Sequence, residues 1–220
     1  MPELNTKTKH LIGKIGLKWT PIGVKFSDNH KETSQSSKNV SVCEALNIVK
    51  KENIMLTITK ETCVCAGGRH FTGLETLPME TLAQALTAKN HRVYKSTNIA
   101  VASIGKQPQP VKRGNQLTLG PLEKFEREPD VVLLIATPAE AEKILGLISF
   151  DGAEPFMYYP ASSICSAITN VLAKGKPEIN LISTFERKAG QWSPSELILA
   201  LPLKDYEAAL ENIPYSGYVK

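Results

Sequence analysis

The sequence has too few cysteines for a disulfide scaffold, since only four occur among 220 residues. Its first 19 residues lack an apolar core of signal-peptide length, which predicts a cytoplasmic protein whose thiols stay reduced. The longest apolar run, near Val131 to Ala136, is far shorter than the roughly 20 residues that a membrane span requires. We therefore expect no membrane association.

The chain also lacks a large excess of basic over acidic residues. The net charge is +4, from 26 basic and 22 acidic residues, which is too small and too spread out to predict binding to nucleic acid. The densest basic stretches, 14–25 and 106–113, lack interleaved aromatic residues and are typical of a solvated surface. No dinucleotide fingerprint, phosphate-loop motif or nucleophile elbow is present, so whether the chain is an enzyme stays open.

Reactive side chains are concentrated in one stretch, residues 61–70, which holds Cys63 and Cys65. The apolar run 54–59 before it predicts a buried strand, and binding groups commonly lie in a loop at a strand end. Two thiols there indicate a metal or an iron–sulfur cluster, although a tight turn with small buried cysteines fits the same pattern. His70 could join them as a ligand, but an isolated loop histidine is more often a surface residue.

The residues after Cys65 suggest another use for this loop. Gly67 and Gly68 permit a turn with positive φ, and successive amide groups in such a turn can form a concave anion site. With Arg69 they could hold a phosphate or carboxylate, while Cys43 or Cys65 acts as a nucleophile or redox thiol. A small anionic ligand or a thiol-dependent enzyme is therefore the alternative to a metal.

Alternating strands and helices are expected along the rest of the chain. Strands are predicted at 21–26, 54–59, 99–104, 116–119, 129–136, 155–159, 178–183 and 196–201. Helices are predicted at 5–18, 43–51, 79–89, 138–148 and 203–210, with another after Ser162 or Ser163. This order indicates an α/β or α+β fold with mixed sheets.

Capping boxes at 41–44 and 137–140 predict the starts of two helices. Cys43 falls in the first turn of one of them, and Cys165 falls in the first turn of the helix that follows Ser162 or Ser163. Because a helix dipole favours negative charge at this end, the position of Cys43 favours a thiolate.

An internal repeat is indicated by similar segments in the two parts of the chain. Residues 41–46 resemble 163–168, and Leu77-Pro78 with its helix resembles Leu201-Pro202 with its helix. We infer a single domain, residues 1–220, made of two pseudo-symmetric halves. The halves are about 17–94 and 128–220, joined by a β-hairpin region at about 95–127.

Packing of the halves about a pseudo-twofold axis would bring Cys43 and Cys165 to one site. Adding Cys63 and Cys65 gives four thiolates, the ligand set of a [4Fe–4S] or [2Fe–2S] cluster or of structural zinc. The glycine pair at 67–68 would provide backbone N–H donors to this site. We favour an iron–sulfur cluster slightly over zinc because a cluster tolerates irregular cysteine spacing, and we expect a redox partner protein or a small-molecule ligand.

Several segments, in their order and spacing, resemble a known family. They are 21–26, 43–45, 65–68, 129–132 and Cys165. The chain resembles, from about residue 17 to 210, a prokaryotic family known only as domain of unknown function 169. The resemblance implies the fold and a set of cysteines, and it supplies no reaction.

The family pattern often has a further cysteine near the position of Ser183, where this chain has serine. This chain has the additional Cys63 instead. The resemblance therefore leaves two readings of the fourth ligand: Cys63 substitutes for it, or the site has three thiolates.

Overall fold

The computed structural model describes residues 1–28, 35–36, 39–89, 93–152 and 163–219, with the backbone alone at 35–36. The strand expected over 155–159 and the alternative cap Ser162 lie outside the described residues. No helix within these ranges is long and apolar enough to cross a membrane.

Strands and helices alternate along most of the described chain. The strands are β1 (Ile22–Ser27), β2 (Gln35–Ser36), β3 (Leu56–Thr59), β4 (Gln116–Pro121), β5 (Val131–Ala136), β6 (Glu178–Asn180) and β7 (Leu197–Leu201). The helices are α1 (Pro2–Ile15), α2 (Val42–Glu52), α3 (Ala66–Phe71), α4 (Met79–Thr87), α5 (Thr97–Ile104), α6 (Pro138–Ile148), α7 (Ile164–Lys174), α8 (Thr184–Gly190) and α9 (Leu203–Asn212).

One mixed sheet holds all of these strands, in the order β2-β3-β4-β1-β5-β7-β6. Strand β2 pairs with β3 in parallel, whereas the other neighbours pair antiparallel. At the centre, Ile22 of β1 lies opposite Leu133 of β5. The expectation of an α/β fold with mixed strand pairing is therefore confirmed.

Helices cover both faces of the sheet. Along β5 every residue is buried, and alternate side chains enter different cores: Leu133 packs in the core under α2 and α7, whereas Leu134 packs in the core under α1, α6 and α9. This alternation follows from the two-residue period of a strand. A run of apolar residues such as β5 is what a strand covered on both faces requires.

The predicted capping boxes are confirmed. Ser41 and Glu44 bond reciprocally at the start of α2, and Thr137 and Glu140 do the same at the start of α6. Ser163 caps α7 with a third such box.

The hairpin expected within 95–127 is wrong, because residues 97–104 form helix α5 and not a strand. The Ser96 side chain accepts the Ile99 backbone N–H and caps the helix. Ala100 and Ile104, one turn apart, are the buried residues of the helix, which packs against α4. Strand β4 then pairs with β3 and β1 instead of forming a hairpin with residues 99–104.

The strand expected over 178–183 ends early, at Asn180. Ser183 instead caps α8, a helix that the sequence reading missed. Between them Ile182 takes a φ of 55°, a left-handed conformation that is rare for a β-branched residue. Its backbone N–H donates to the Asn180 side chain at 2.8 Å, which holds this sharp turn.

The order of the strands is compatible with the proposed duplication. Outward from the centre, one side of the sheet reads β1, β4, β3 and the other reads β5, β7, β6. However, Leu77-Pro78 precedes β4, whereas Leu201-Pro202 follows β7, so this pair of segments does not occupy equivalent places. The duplication itself stays a prediction.

Candidate functional site

Helices α2 and α7 begin in the same way and bring one cysteine each to a common place. Cys43 and Cys165 are both the second residue after a capping serine. Cys43 is half-buried and Cys165 is buried. The neighbouring Cys43 thiol and burial together raise the pKa of Cys165 well above its ordinary value. The starts of α2 and α7, which cover the same face of the sheet, therefore each bring one thiol to this region.

Cys65 approaches from the loop after β3, where it is the residue that caps α3. Its Sγ atom accepts the backbone N–H of Gly68 at 3.3 Å. Burial raises the pKa of the Cys65 thiol. The charge of Cys65 also acts on Cys165, so the two side chains lie within electrostatic range.

Cys63 lies beneath this loop in the apolar core. Its side chain is 1% exposed, and its Sγ atom donates to the carbonyl of Cys65 at 3.6 Å. A Cβ atom added to Gly68 would lie 3.0 Å from this sulfur. Burial raises the pKa of the Cys63 thiol. The surroundings of Cys63 are thus those of a small apolar core residue.

Glu186 is the acidic residue of the region, and the sequence reading did not single it out. It belongs to the capping box of α8, where its Oε2 accepts the Ser183 N–H at 2.9 Å. Its Oε1 accepts the Ile164 N–H at 2.5 Å and lies 4.0 Å from the Cys43 sulfur. Burial raises the pKa of this carboxyl. The Ser-x-x-Glu spacing was the signal that could have revealed it.

These contacts do not amount to a ready metal site. In the described part of the chain, no three His, Cys, Asp or Glu side chains are grouped so that they could hold a metal ion. The structure provides a Cys43 thiol within electrostatic range of Cys63, Cys65 and Cys165, and a Glu186 carboxylate oxygen 4.0 Å from the Cys43 sulfur.

The groups expected to bind an anion are largely engaged elsewhere. The Arg69 Nε atom lies 2.7 Å from the Glu75 carboxylate, and its Nη1 donates to the Cys63 carbonyl. The Gly68 amide is used by the Cys65 sulfur. The glycines do not form a loop with positive φ, since residues 66–71 are helical. These contacts leave fewer N–H donors for a phosphate or carboxylate ligand than the sequence suggested.

His70 is not a surface residue, contrary to the sequence-based expectation. It is 3% exposed, and its Nδ1 atom accepts the backbone N–H of Leu77 at 3.2 Å. Burial lowers the pKa of the imidazole. Because helix formation turns this residue into the core, His70 supports the segment between α3 and α4.

A buried ion pair lies at the other end of α2. Lys50 Nζ lies 3.2 Å from the Glu196 carboxylate, and the lysine side chain is 3% exposed. The same Nζ atom lies 4.2 Å from the ring centre of Trp192 and 4.8 Å from that of Trp19. This cluster fixes α2, and with it the position of Cys43, against the loop before β7.

Comparison with known proteins identifies one family. The family model described as "Uncharacterised ArCR", domain of unknown function 169, matches residues 10–212. No curated protein matches the chain. No solved structure matches it either.

Proposed function

The chain belongs to domain-of-unknown-function family 169, and we propose that it binds a soft metal ion or an iron–sulfur cluster for redox or cofactor-handling work. The proposed ligands include the thiolates of Cys43, Cys65 and Cys165. The observation that carries the proposal is geometric: Oε1 of Glu186 lies 4.0 Å from the Cys43 sulfur and accepts the N–H of Ile164, the neighbour of Cys165, which joins the starts of α2 and α7.

The helix starts favour thiolate ligands once a cation is bound, since in the metal-free protein burial raises the pKa of Cys65, and the Cys43 thiol together with burial raises that of Cys165. Cys43 and Cys165 each lie in the first turn of an 11-residue helix, where the helix dipole favours negative charge. Iron–sulfur clusters are held by thiolates, and hydrogen bonds to the sulfur atoms help to set their potential. The bond from the Gly68 N–H to the Cys65 sulfur is of this kind.

Binding must draw the side chains together, since the described residues hold no group already spaced for a metal. Free thiols carry protons that a metal displaces, so binding is coupled to proton release and to local rearrangement. A bound metal would then stabilise the fold, because it joins α2, α3 and α7 through their first residues.

The test is elemental analysis of protein purified without oxygen, combined with an ultraviolet–visible spectrum. We expect iron with acid-labile sulfide and a brown colour, or stoichiometric zinc in a colourless protein. A variant carrying both Cys43→Ser and Cys165→Ser should fold and contain neither. Parent protein that contains no metal, and that takes up none from Zn²⁺ or from Fe²⁺ with sulfide, would contradict the proposal.

A second candidate is thiol–disulfide exchange, which the interaction of the Cys43 thiol with Cys165 favours. Oxidised glutathione would accept two electrons and two protons, so that one Cys43–Cys165 disulfide and two glutathione thiols form. Peptide mapping of metal-free protein treated with oxidised glutathione tests this. A reversible Cys43–Cys165 bridge supports the exchange, and glutathione adducts without a bridge count against it.

A further inference from the structure

We propose that the recess between α3, α7 and residues 109–113 binds a small carboxylate that carries a short apolar or aromatic body. Arg113 holds the carboxylate at the rim, and the body lies between Phe71 and Leu172. None of the proposed metal ligands is among the described residues that line this recess, so the site adds a second binding function to the chain.

The recess is formed by a loop that is fixed to both helices. Residues 109–113 cross the gap between α3 and α7 and enclose about 270 Å³ that opens to solvent. Gly73, with a φ of 73°, turns the chain where an added Cβ atom would lie 2.8 Å from the Val111 carbonyl oxygen. Arg113 Nη2 donates to the Leu172 carbonyl at 3.2 Å. The space is smaller than the roughly 300–1,000 Å³ of pockets for drug-sized ligands, so it suits a small molecule.

Arg113 is the charged group that lines the recess. Its guanidinium carries five N–H donors, and the carbonyl of Leu172 uses one of them. Among the described residues that line the recess none is acidic, and exposed Lys112 adds a second positive charge at the rim. Because a guanidinium can bind a carboxylate through two parallel N–H bonds, the rim favours this group.

The floor and walls of the recess favour an apolar body behind the carboxylate. Thr72 and Thr169 are each 4% exposed, and their hydroxyl groups donate to the carbonyls of Gly68 and Phe71. Their protons are therefore not available to a ligand. The side chain of Val111 is 69% exposed, so an apolar group that covers it would remove apolar surface from water. A carboxylate with an apolar body thus fits better than inorganic phosphate does.

The corresponding gap between α2 and α8 is filled by a ring of the chain itself. Helix α8 packs against α2 as α3 packs against α7. The ring of Trp192 occupies the place where a Cβ atom on Gly190 would lie, and its centre is 4.2 Å from Lys50 Nζ. Leu172 holds the place in α7 that Lys50 holds in α2. Between α3 and α7 the described residues leave the corresponding space open, which indicates a flat ring as the body of the ligand.

Titration of the full-length chain with benzoate, followed by NMR of the backbone amides, tests the proposal. We expect saturable shifts that are confined to residues 109–113 and 169–173 and their neighbours. Benzamide has the same ring without the charge. It should bind at least about tenfold more weakly, because it lacks the charge-assisted hydrogen bonds to Arg113.

Three variants locate the site. Arg113→Gln should weaken benzoate binding at least about tenfold, because it removes the guanidinium. Lys112→Gln, which loses the same charge at the next position, is the matched control and should change the affinity by less than about threefold, since an exposed charge is screened. Ala173→Leu should weaken binding as much as Arg113→Gln, because the larger side chain fills the recess from an exposed helix position that tolerates leucine. The amide spectra show whether each variant keeps the fold.

Shifts that never saturate, or equal affinities for benzoate and benzamide, would overturn the carboxylate site. Unchanged affinity in folded Arg113→Gln or folded Ala173→Leu would overturn it as well. Inorganic phosphate that binds as tightly as benzoate would show an anion site without a place for the ring, and would also contradict the proposal. The double variant with Cys43→Ser and Cys165→Ser should bind benzoate as the parent does, so a failure of metal binding leaves this site standing.

Discussion

The sulfur of Cys43 lies 4.0 Å from Oε1 of Glu186, so the thiol at the start of α2 meets the carboxylate at the start of α8. The same oxygen accepts the N–H of Ile164, the first residue of α7. The starts of α2, α7 and α8 are thereby joined. A substitution at one of these helix starts should therefore alter the packing of the other two.

Two neighbouring glycines of α3 should respond oppositely to alanine. A Cβ atom on Gly68 would lie 3.0 Å from the Cys63 sulfur and 3.2 Å from a methyl group of Val42. On Gly67 the nearest atom is the Cys65 sulfur at 3.8 Å, which is ordinary contact. Gly68→Ala should therefore lower the free energy of unfolding by about 1–3 kcal/mol. Gly67→Ala should raise it by roughly 0.5–1 kcal/mol, since alanine favours a helix.

Urea denaturation of the two variants measures this difference, and each glycine serves as the control for the other. Equal midpoints for both variants would show that Gly68 does not pack tightly on Cys63 and Val42.

The ion pair at the end of α2 should contribute to stability above the acidic range. Burial raises the pKa of Glu196, but hydrogen bonds from Ser193 and Trp19 and the charge of Lys50 lower it more, so the net pKa is below its usual 4.5. Glu196→Gln leaves the buried Lys50 without its carboxylate. We expect a loss of about 3–5 kcal/mol near pH 7.

The pH dependence of that loss follows from the direction of the shift. A carboxyl with a lowered pKa stabilises the fold above its unfolded pKa, and this stabilisation disappears as the pH falls through the folded pKa. The gap between the parent and Glu196→Gln should therefore narrow below pH 4.5. Glu142→Gln, at an exposed position of α6, is the control and should change little. A gap that stays constant with pH would argue against the ion pair as its source.

Metal-free protein should lose stability in alkali because of its buried thiols. The pKa values of Cys63, Cys65 and Cys165 are raised, the first two mainly by burial and the third by the neighbouring Cys43 thiol and by burial. Below the ordinary thiol pKa both the folded and the unfolded chain keep these protons. As the pH rises past about 8.5 the unfolded chain releases them first, so the free energy of unfolding falls.

Urea midpoints between pH 7.5 and pH 10, with reductant and chelator present, measure this effect. Cys165→Ala should show a shallower fall than the parent over the same range. An identical slope for the two proteins would mean that Cys165 titrates alike in the folded and unfolded chain.

The sequence was sufficient where the decisive contacts are local. The capping boxes at 41–44 and 137–140 close within four residues, so their residue types alone placed the starts of α2 and α6. Strand β5 was equally clear, because a short run of consecutive apolar residues matches a strand buried on both faces.

Sequence reading failed where packing between distant segments decides the outcome. The β-branched residues Ile99 and Val101 favour a strand by propensity, yet Ser96 caps a helix there and α4 packs against it. The capping signal at 183–186 was lost because residues 178–183 were read as one strand. The approach of Glu186 to Cys43 depends on the order of the strands, which residue spacing does not contain.

The central claim is that the thiolates of Cys43, Cys65 and Cys165, carried by the starts of α2, α3 and α7, bind one metal site. X-ray absorption at the metal edge of the loaded parent protein tests it most directly, because it counts sulfur and oxygen neighbours. For the zinc form we predict sulfur ligands at about 2.3 Å from Cys43, Cys65 and Cys165. A metal surrounded only by oxygen and nitrogen, or no bound metal at all, would contradict the account.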